Sequence, residues 1–222
     1  MPSKARLALK ENLKDVKQLL KLHEQEGGNA PGRRFGLEVL NKTAIVLITA
    51  CWEAYCEDIA EEGLEHIVTY AKSADTLPDE IKKLIAKELK NDKNELAVWK
   101  ISDDKWKDLL EKRLQKLKED RNRNLNTPKH KKIDELFESA IGLSNVSSEW
   151  TWAYGPNVEK NQAKLDKYVE LRGEIAHRGK ANTSVQKWQV EDYLDLIKKI
   201  AANTGGAVNT HVKSITGKSL WK

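Results

Sequence analysis

The sequence contains little of what ends helices or cross-links a chain. Of its 222 residues, five are proline, twelve are glycine and two, Cys51 and Cys56, are cysteine. Two cysteines cannot build the disulfide framework on which many small secreted domains depend, so we expect a reducing compartment. The scarcity of proline and glycine leaves long stretches of the chain free to form helices.

Long apolar runs are also missing. The longest, Ala44–Cys51, is far shorter than the ~20 apolar residues of a membrane-spanning helix. No apolar stretch follows the N-terminal Met1–Arg6 to make a secretory signal. We therefore expect a soluble cytoplasmic protein with no membrane contact, built as one domain with appendages.

Charge is abundant but nearly balanced. The 39 lysines and arginines exceed the 34 acidic residues by five, and charged residues make up 33% of the chain. This small excess permits contact with nucleic acid without requiring it, since many solvated helical proteins are as basic. Particular residues must therefore indicate the function.

Apolar residues recur at helical spacing along most of the chain. This pattern predicts an all-α fold, a helical bundle with a long central helix and a C-terminal helix pair. The predicted helices are Lys4–Glu26, Phe35 to about Ala71, Pro78 to about Lys90, Lys105–Asp120 with N-cap chemistry at 102–104, Lys129–Ile141, 157–178 and Val185–Asn203. Residues 1–32 then form an N-terminal helix and linker, 33–203 the helical domain, and 204–222 a Gly- and Thr-rich tail.

One arginine breaks the pattern of the helix predicted over 157–178. At 100° per residue, Arg172 lies about −20° from Leu165, in the middle of the apolar face. The apolar residues of that face are Leu165, Tyr168, Val169, Ile175 and Ala176. Because a guanidinium is costly to bury unpaired, an anion must meet it. A bound phosphate and a salt bridge to Asp58 or Glu53 of the long helix are both open.

His177 follows five positions later, about 140° around the same helix. It lies in the last turn before Gly179, where the negative end of the helix favours an imidazolium. A lone histidine in this position is typical of a half-exposed helix end. Its combination with Arg172 indicates a function.

The segment Leu171–Gly179, with the spacing Arg172-x4-His177, resembles the signature of the HEPN superfamily of helical ribonucleases and toxins. Further segments resemble one branch, the RiboL-PSP-type HEPN domains. They are Ala50–Asp58 on the long helix, Asn126–Pro128 and Leu136–Gly142, and the whole resemblance spans roughly residues 35–200.

The resemblance implies a HEPN-like fold and metal-independent cleavage of RNA. In many catalytic members the arginine and histidine of two protomers meet in one cleft and leave 2′,3′-cyclic phosphate ends, which implies that Arg172 and His177 are catalytic residues of a homodimer. The family often has Asn, Asp or His where this chain has Gly173. A toxin or phage-defence effector, and an antitoxin or defence partner that neutralises it, are further expectations.

The chemistry of RNA cleavage is consistent with this reading. RNA carries its own nucleophile, the 2′-OH, and an enzyme must supply a base, an acid and positive charge for the phosphorane. His177 can transfer protons near neutrality, and Arg172 can hold phosphate oxygens. Since two proton transfers need two such groups, we expect a symmetric homodimer that brings two copies of His177 together.

Positive charge predicts a surface for the RNA backbone. Residues 118–132 contain six basic and two acidic residues. The candidate contacts are Arg121, Arg123 and Lys131 in this segment, and Arg178 and Lys180 beside His177. A solvated surface loop is the alternative for the segment.

No cofactor or metal site is expected. Four other histidines have no Cys or His partner at ligand spacing: His23, His66, His130 and His211. The two cysteines lie on an apolar helix, which indicates packing, and Trp150, Trp152 and Tyr154 are expected to seal a core edge. Two functions other than a ribonuclease stay open: a non-catalytic HEPN module that binds nucleotide or a protein partner, and a structural helical dimer.

Overall fold

The computed structural model describes residues 3–27, 36–102, 105–121, 125–178 and 184–221, without the side chain of Arg178. The described residues form seven α-helices and no β-strand, so the predicted all-α fold is confirmed. The helices are α1 (Lys4–Gly27), α2 (Glu38–Tyr70), α3 (Asp79–Lys90), α4 (Trp106–Glu119), α5 (His130–Ile141), α6 (Val158–Arg178) and α7 (Lys187–Thr216).

The long central helix α2 is the axis of the bundle. It packs most extensively against α1 and α7, and also against α4, α5 and α6. Because neighbours cover α2 on several sides, its apolar residues are buried almost all round; Ile45, Ile48, Trp52 and Ile59 are fully enclosed. No helix in the described part of the chain is long and apolar enough to span a membrane.

Local chemistry sets several helix ends where the sequence predicts them. Pro78 directly precedes α3, and the Asn157 side chain accepts the Lys160 N–H at 3.1 Å in the first turn of α6. Gly142 ends α5 in the left-handed region at φ 73°. A Cβ at Gly142 would lie 2.5 Å from the Cβ of Pro78, so both the backbone and the close contact require glycine.

The predicted helix starts differ from the observed ones by up to three residues. Helix α2 begins at Glu38, and Phe35 lies outside the described residues. Helix α4 begins at Trp106 behind Lys105, whose side chain makes no capping hydrogen bond. Of the predicted cap residues of α4, Ser102 donates its hydroxyl to the Trp99 carbonyl at 2.7 Å, and Asp103 and Asp104 lie outside the described residues.

The predicted end of the last helix is wrong. Helix α7 continues past Asn203 to Thr216 and ends at Gly217. Helix α7 approaches α2 closely on both sides of the predicted end: Tyr55 donates to the Ala201 carbonyl at 2.7 Å, and a Cβ at Gly205 would lie 2.8 Å from the Tyr55 hydroxyl oxygen. Small residues that suggest a loose tail therefore let two helices approach.

Three helix ends meet at one end of the bundle. The Asn41 side chain near the start of α2 donates to the Val185 carbonyl before α7 at 2.9 Å. Lys187 at the start of α7 pairs with Glu24 near the end of α1 at 2.7 Å.

Helix α6 runs antiparallel to α7. Asn161 near the start of α6 donates to the Trp150 carbonyl, and Trp150 donates to Thr204 of α7. Further along α6, Tyr168 stacks on Tyr193, which comes earlier in α7. The C-terminal turn of α6 therefore points toward this end of the bundle.

Candidate functional site

The apolar face predicted for α6 exists and covers the core. Leu165, Tyr168, Val169 and Ile175 are buried. Ala176, placed on the same face by the sequence, is exposed instead, because it lies in the last turn of α6, near the end of the bundle.

Arg172 lies half-buried on this face, at the seam where α6 packs against α2. Its Nη1 donates to the carbonyl oxygen of Asn126 at 3.4 Å, a long hydrogen bond. The Asn126 segment is itself fastened to α2, since Trp52 Nε1 donates to the Pro128 carbonyl at 3.4 Å. The guanidinium therefore reaches from α6 toward α2 and the chain just before α5.

The charge of this guanidinium acts on the carboxylate of Glu53 in α2. Burial raises the pKa of Glu53 to about 7, the Arg172 charge lowers it, and the neighbouring Glu57 raises it further. Asp58, the other candidate from the sequence, pairs with Arg121 instead. Of the two expected carboxylates, Glu53 alone is coupled to Arg172 in this way among the described residues.

His177 lies apart from Arg172 on α6. Its side chain is exposed in the last turn, whereas Arg172 is half-buried one and a half turns earlier. Between them, a Cβ at Gly173 would meet nothing within 4 Å, so the surface there is open. Within the described residues no hydrogen bond or ion pair joins Arg172 to His177 in one chain.

The described cations of the 118–132 segment are mostly paired. Arg121 binds Asp58, and the nearest oxygen of Glu61 is 3.9 Å from the Arg121 guanidinium. Other pairs join Lys118 to Glu61 at 3.8 Å, Lys129 to Glu170 at 2.7 Å and Lys132 to Glu135 at 2.5 Å. The charge excess read from the sequence is therefore largely compensated by the fold.

Of the other residues predicted to contact the RNA backbone, the structure describes the side chain of one. Lys131 is exposed in the first turn of α5. Arg123, Lys180 and the side chain of Arg178 lie outside the described residues.

The structure reveals a histidine–aspartate pair that the sequence analysis missed. His130 Nδ1 lies 2.8 Å from Asp166 Oδ2, and the His130 N–H donates to Asp166 Oδ1 at 3.0 Å. The two residues are 36 positions apart, on α5 and α6, so a search for neighbours at ligand spacing could not find them. Lys129 and Glu170 form a second pair beside them.

The other candidates act in packing. Cys51 and Cys56 are free and buried, and burial raises the pKa of the Cys51 thiol to about 11. Trp150 is fully buried and its Nε1 donates to the Thr204 hydroxyl at 2.9 Å, and Trp152 packs against the core. Tyr154 is fully exposed, so the expectation that it seals a core edge is wrong. No group of three or more metal-ligating side chains occurs within the ranges that the structure describes.

Comparison with known proteins agrees with the fold and with the sequence segments around the site. The model of the RiboL-PSP-HEPN family matches residues 8–209, a range that contains α2, the Asn126 segment, α6 and most of α7. No match was found among curated proteins or among solved structures. Since the family match covers most of the chain, including Arg172 and His177, the protein belongs to the RiboL-PSP-HEPN family.

Proposed function

We propose that the protein is a metal-independent endoribonuclease whose catalytic residues are Arg172 and His177. The observation that carries the proposal is the half-buried Arg172, held on the apolar face of α6 by a long hydrogen bond, with an exposed His177 at the end of the same helix. A guanidinium held this loosely keeps donors for a phosphate, and an exposed imidazole can exchange protons.

The proposed reaction uses the 2′-OH of RNA as the nucleophile. One His177 removes the 2′ proton as the 2′ oxygen attacks phosphorus, and a second His177 donates a proton to the departing 5′ oxygen. Arg172 stabilises the charge that accumulates on the phosphorane oxygens. The products are a 2′,3′-cyclic phosphate and a free 5′-OH. Lys131 is a candidate contact for the RNA backbone, as are Arg121, Arg123, Arg178 and Lys180.

A homodimer through the end of the bundle that carries His177 is part of the proposal. Two large apolar side chains are exposed at this end, Val39 in the first turn of α2 and Trp188 in the first turn of α7. Exposed aromatic and aliphatic residues are typical of protein interfaces. A two-fold axis near Trp188 would bring two copies of the α6 end together.

The setting of the activity is also proposed. Growth restriction as a toxin or phage-defence effector fits a ribonuclease that a protein partner holds in check. RNA as the substrate and two free, buried cysteines fit a cytoplasmic location.

The decisive experiment measures RNA cleavage by the purified protein in EDTA. We expect cleavage with 2′,3′-cyclic phosphate ends, and a loss of at least ~100-fold in His177→Ala, since a proton-transfer group is removed. His66→Ala is the control, because His66 is a part-exposed histidine on α2 whose contacts are the Tyr70 ring and the Lys218 carbonyl at 3.2 Å. If wild type and His177→Ala are both inert while Arg172→Ala disrupts a complex, the non-catalytic module is favoured.

The dimer is tested by a matched pair of exposed tryptophans. Trp188 and Trp99 are 62% and 68% exposed, on α7 and on the turn before α4 respectively. We expect Trp188→Glu to be a monomer by light scattering and to lose cleavage, because the charge disrupts the interface. Trp99→Glu should match wild type in both measurements. A dimeric Trp188→Glu would contradict this interface.

A further inference from the structure

The segment 125–129, which leads into α5, has a stiff backbone. The ring of Pro128 fixes its own φ and restricts the preceding Thr127 to extended conformations. The Lys129 N–H donates to the Thr127 carbonyl at 2.8 Å and closes a tight turn around Pro128. Pro128 is also buried, so packing holds the turn in place. A contact at one residue of this segment therefore fixes its neighbours as well.

Helices α2 and α6 both fasten this segment. From α2, Trp52 Nε1 donates to the Pro128 carbonyl at 3.4 Å. At the junction with α5, Asp166 of α6 accepts the His130 N–H at 3.0 Å, and an ion pair of 2.7 Å joins Lys129 to the same helix. The α6 contacts fix the end of the segment at α5, and Trp52 fixes the part that precedes it.

The Trp52 side chain is a rigid donor. It is fully buried in α2, its ring stacks on Tyr55 and it meets the Trp150 ring edge-on, with 5.9 Å between ring centroids in each pair. An enclosed ring that is packed in this way has little freedom to change rotamer. The indole nitrogen can only donate, and a buried donor is costly to leave unpaired. Because the Trp52 N–H is paired with the Pro128 carbonyl, the core of the bundle determines where the 125–129 segment lies.

Arg172 contacts this segment at the Asn126 carbonyl. Its Nη1 donates to that oxygen at 3.4 Å. Asn126 is exposed, but buried residues lie on both sides of it, Leu125 directly before and Pro128 two positions after. The contact uses a single donor of a guanidinium that has several, so it restricts a flexible side chain and leaves donors for a phosphate. The direction in which Arg172 points therefore depends on where the Asn126 carbonyl is held.

We propose that Trp52 is a positioning residue for Arg172. Its indole N–H holds the Pro128 carbonyl, and through the stiff 125–129 segment it fixes the Asn126 carbonyl that directs the guanidinium toward a phosphate. This inference rests on the proposed ribonuclease function, and it adds a fully buried residue that acts through a second segment without contacting RNA. Because both hydrogen bonds in this series are long, the expected effect is a partial loss of activity.

Trp52→Phe tests the indole N–H, because phenylalanine keeps an aromatic ring at the site and lacks the donor. Trp150→Phe is the matched control. Trp150 is also fully buried, it contacts Trp52, and its Nε1 donates to the Thr204 hydroxyl of α7 at 2.9 Å. Each variant loses one buried hydrogen bond, and only Trp52→Phe loses the bond to the segment that holds Arg172. We expect both variants to fold, with Tm values within about 4 °C of each other.

The first measurement does not need activity. The motion of the Arg172 Nε–Hε bond is followed by ¹⁵N NMR relaxation, with Arg172→Lys to assign the signal. We expect its order parameter to fall by about 0.2 or more in Trp52→Phe and by less than about 0.1 in Trp150→Phe. Equal changes in the two variants, or no change in either, would overturn the proposal.

The second measurement is RNA cleavage by the same variants. We expect Trp52→Phe to lower kcat by about 5–10-fold and to change KM less than about 3-fold, since a misdirected guanidinium stabilises the transition state less. Trp150→Phe should stay within about 2-fold of wild type. In an Arg172→Gln background, Trp52→Phe should have no further effect. A loss of kcat that Trp150→Phe shares, or one that persists without Arg172, would overturn the positioning role.

A further pair of variants covers the case in which Trp52→Phe does not fold. Pro128→Ala keeps the carbonyl that Trp52 binds but removes the ring that stiffens the segment, so it should lower both the order parameter of Arg172 and kcat. Pro156→Ala is its control, since the Pro156 carbonyl also accepts a side chain, that of Asn161 at 3.2 Å, before the start of α6. An unchanged Arg172 signal in Pro128→Ala would count against the proposal in the same way.

The outcomes separate this inference from the proposed function. Greater motion of Arg172 in Trp52→Phe, in a protein that cleaves no RNA, would support the positioning of Arg172 and remove the ribonuclease. Cleavage by wild type and by Trp52→Phe with equal kcat would keep the ribonuclease and overturn the role of Trp52.

Discussion

The start of α5 and the end of α6 each carry a histidine, and the two histidines differ in burial and in hydrogen bonding. At the start of α5, the ring and the backbone N–H of His130 are both held by Asp166, and both side chains are largely covered. At the end of α6, His177 is exposed. A carboxylate that accepts two hydrogen bonds at a helix start performs the task of a cap. His130 therefore has a structural role, whereas the ring of His177 is open to solvent.

The largest effect on stability should come from the covered region. Asp166→Ala removes the acceptor of two hydrogen bonds and leaves the His130 N–H without that partner. We expect a loss of about 2–3 kcal/mol in the free energy of unfolding, or roughly 5–10 °C in Tm for a chain of this size. Thermal unfolding followed by circular dichroism measures it.

The exposed region provides the control for that prediction. His177→Ala should shift Tm by no more than about 1–2 °C, since surface substitutions cost little. Equal losses in the two variants would break the distinction between the two histidines.

A second prediction concerns pH and the seam beside α6. The pKa of Glu53 is about 7 in the folded protein and 4.5 in the unfolded chain. Between these two pH values, the folded state therefore binds one more proton than the unfolded state. The contribution of Glu53 is therefore fully present below pH 4.5 and is lost as the pH rises through 7. We expect this contribution to the free energy of unfolding to be about 1–2 kcal/mol, allowing for the solvent that reaches this half-buried group.

Urea unfolding at pH 5 and pH 7.5 measures this loss, with Glu53→Gln as the comparison. The variant should show a shallower decline across the interval. Glu62, whose pKa is also raised by burial, contributes in the same direction in both proteins and cancels. An identical decline in the two proteins would exclude Glu53 as the source.

The smallest effect tests the open surface between Arg172 and His177. A Cβ at Gly173 meets nothing within 4 Å, and alanine favours the helix by about 0.5–1 kcal/mol. We expect Gly173→Ala to raise stability by this amount in urea unfolding. A decrease would show that the surface between the two regions is not open.

The helices of this protein follow closely from its sequence, and the ends with local signals follow best. Pro78, Gly142 and Asn157 act through their own backbone or side chain, so each boundary can be predicted from a few residues of sequence. The end of α7 could not be predicted in this way. Its Gly- and Thr-rich segment is helical because Tyr55 and α2 lie against it, which is a tertiary cause.

The candidate site likewise has some features that follow from local sequence and others that only tertiary contacts determine. The position of Arg172 within an apolar face is a property of helical periodicity, so the sequence was sufficient to identify it. The pairing of Arg121 with Asp58, and of His130 with Asp166, joins residues 63 and 36 positions apart. No local pattern contains such contacts.

The sequence alone determined the all-α class, the long central helix, the family resemblance and the arginine on an apolar face, because each depends on spacing along one helix or on a short segment. Only the tertiary structure decided which charges are compensated, which histidine is covered and on which carboxylate the charge of Arg172 acts. Those outcomes depend on which helices pack together, and burial between helices sets both the partners of a charge and the free energy of its ionisation.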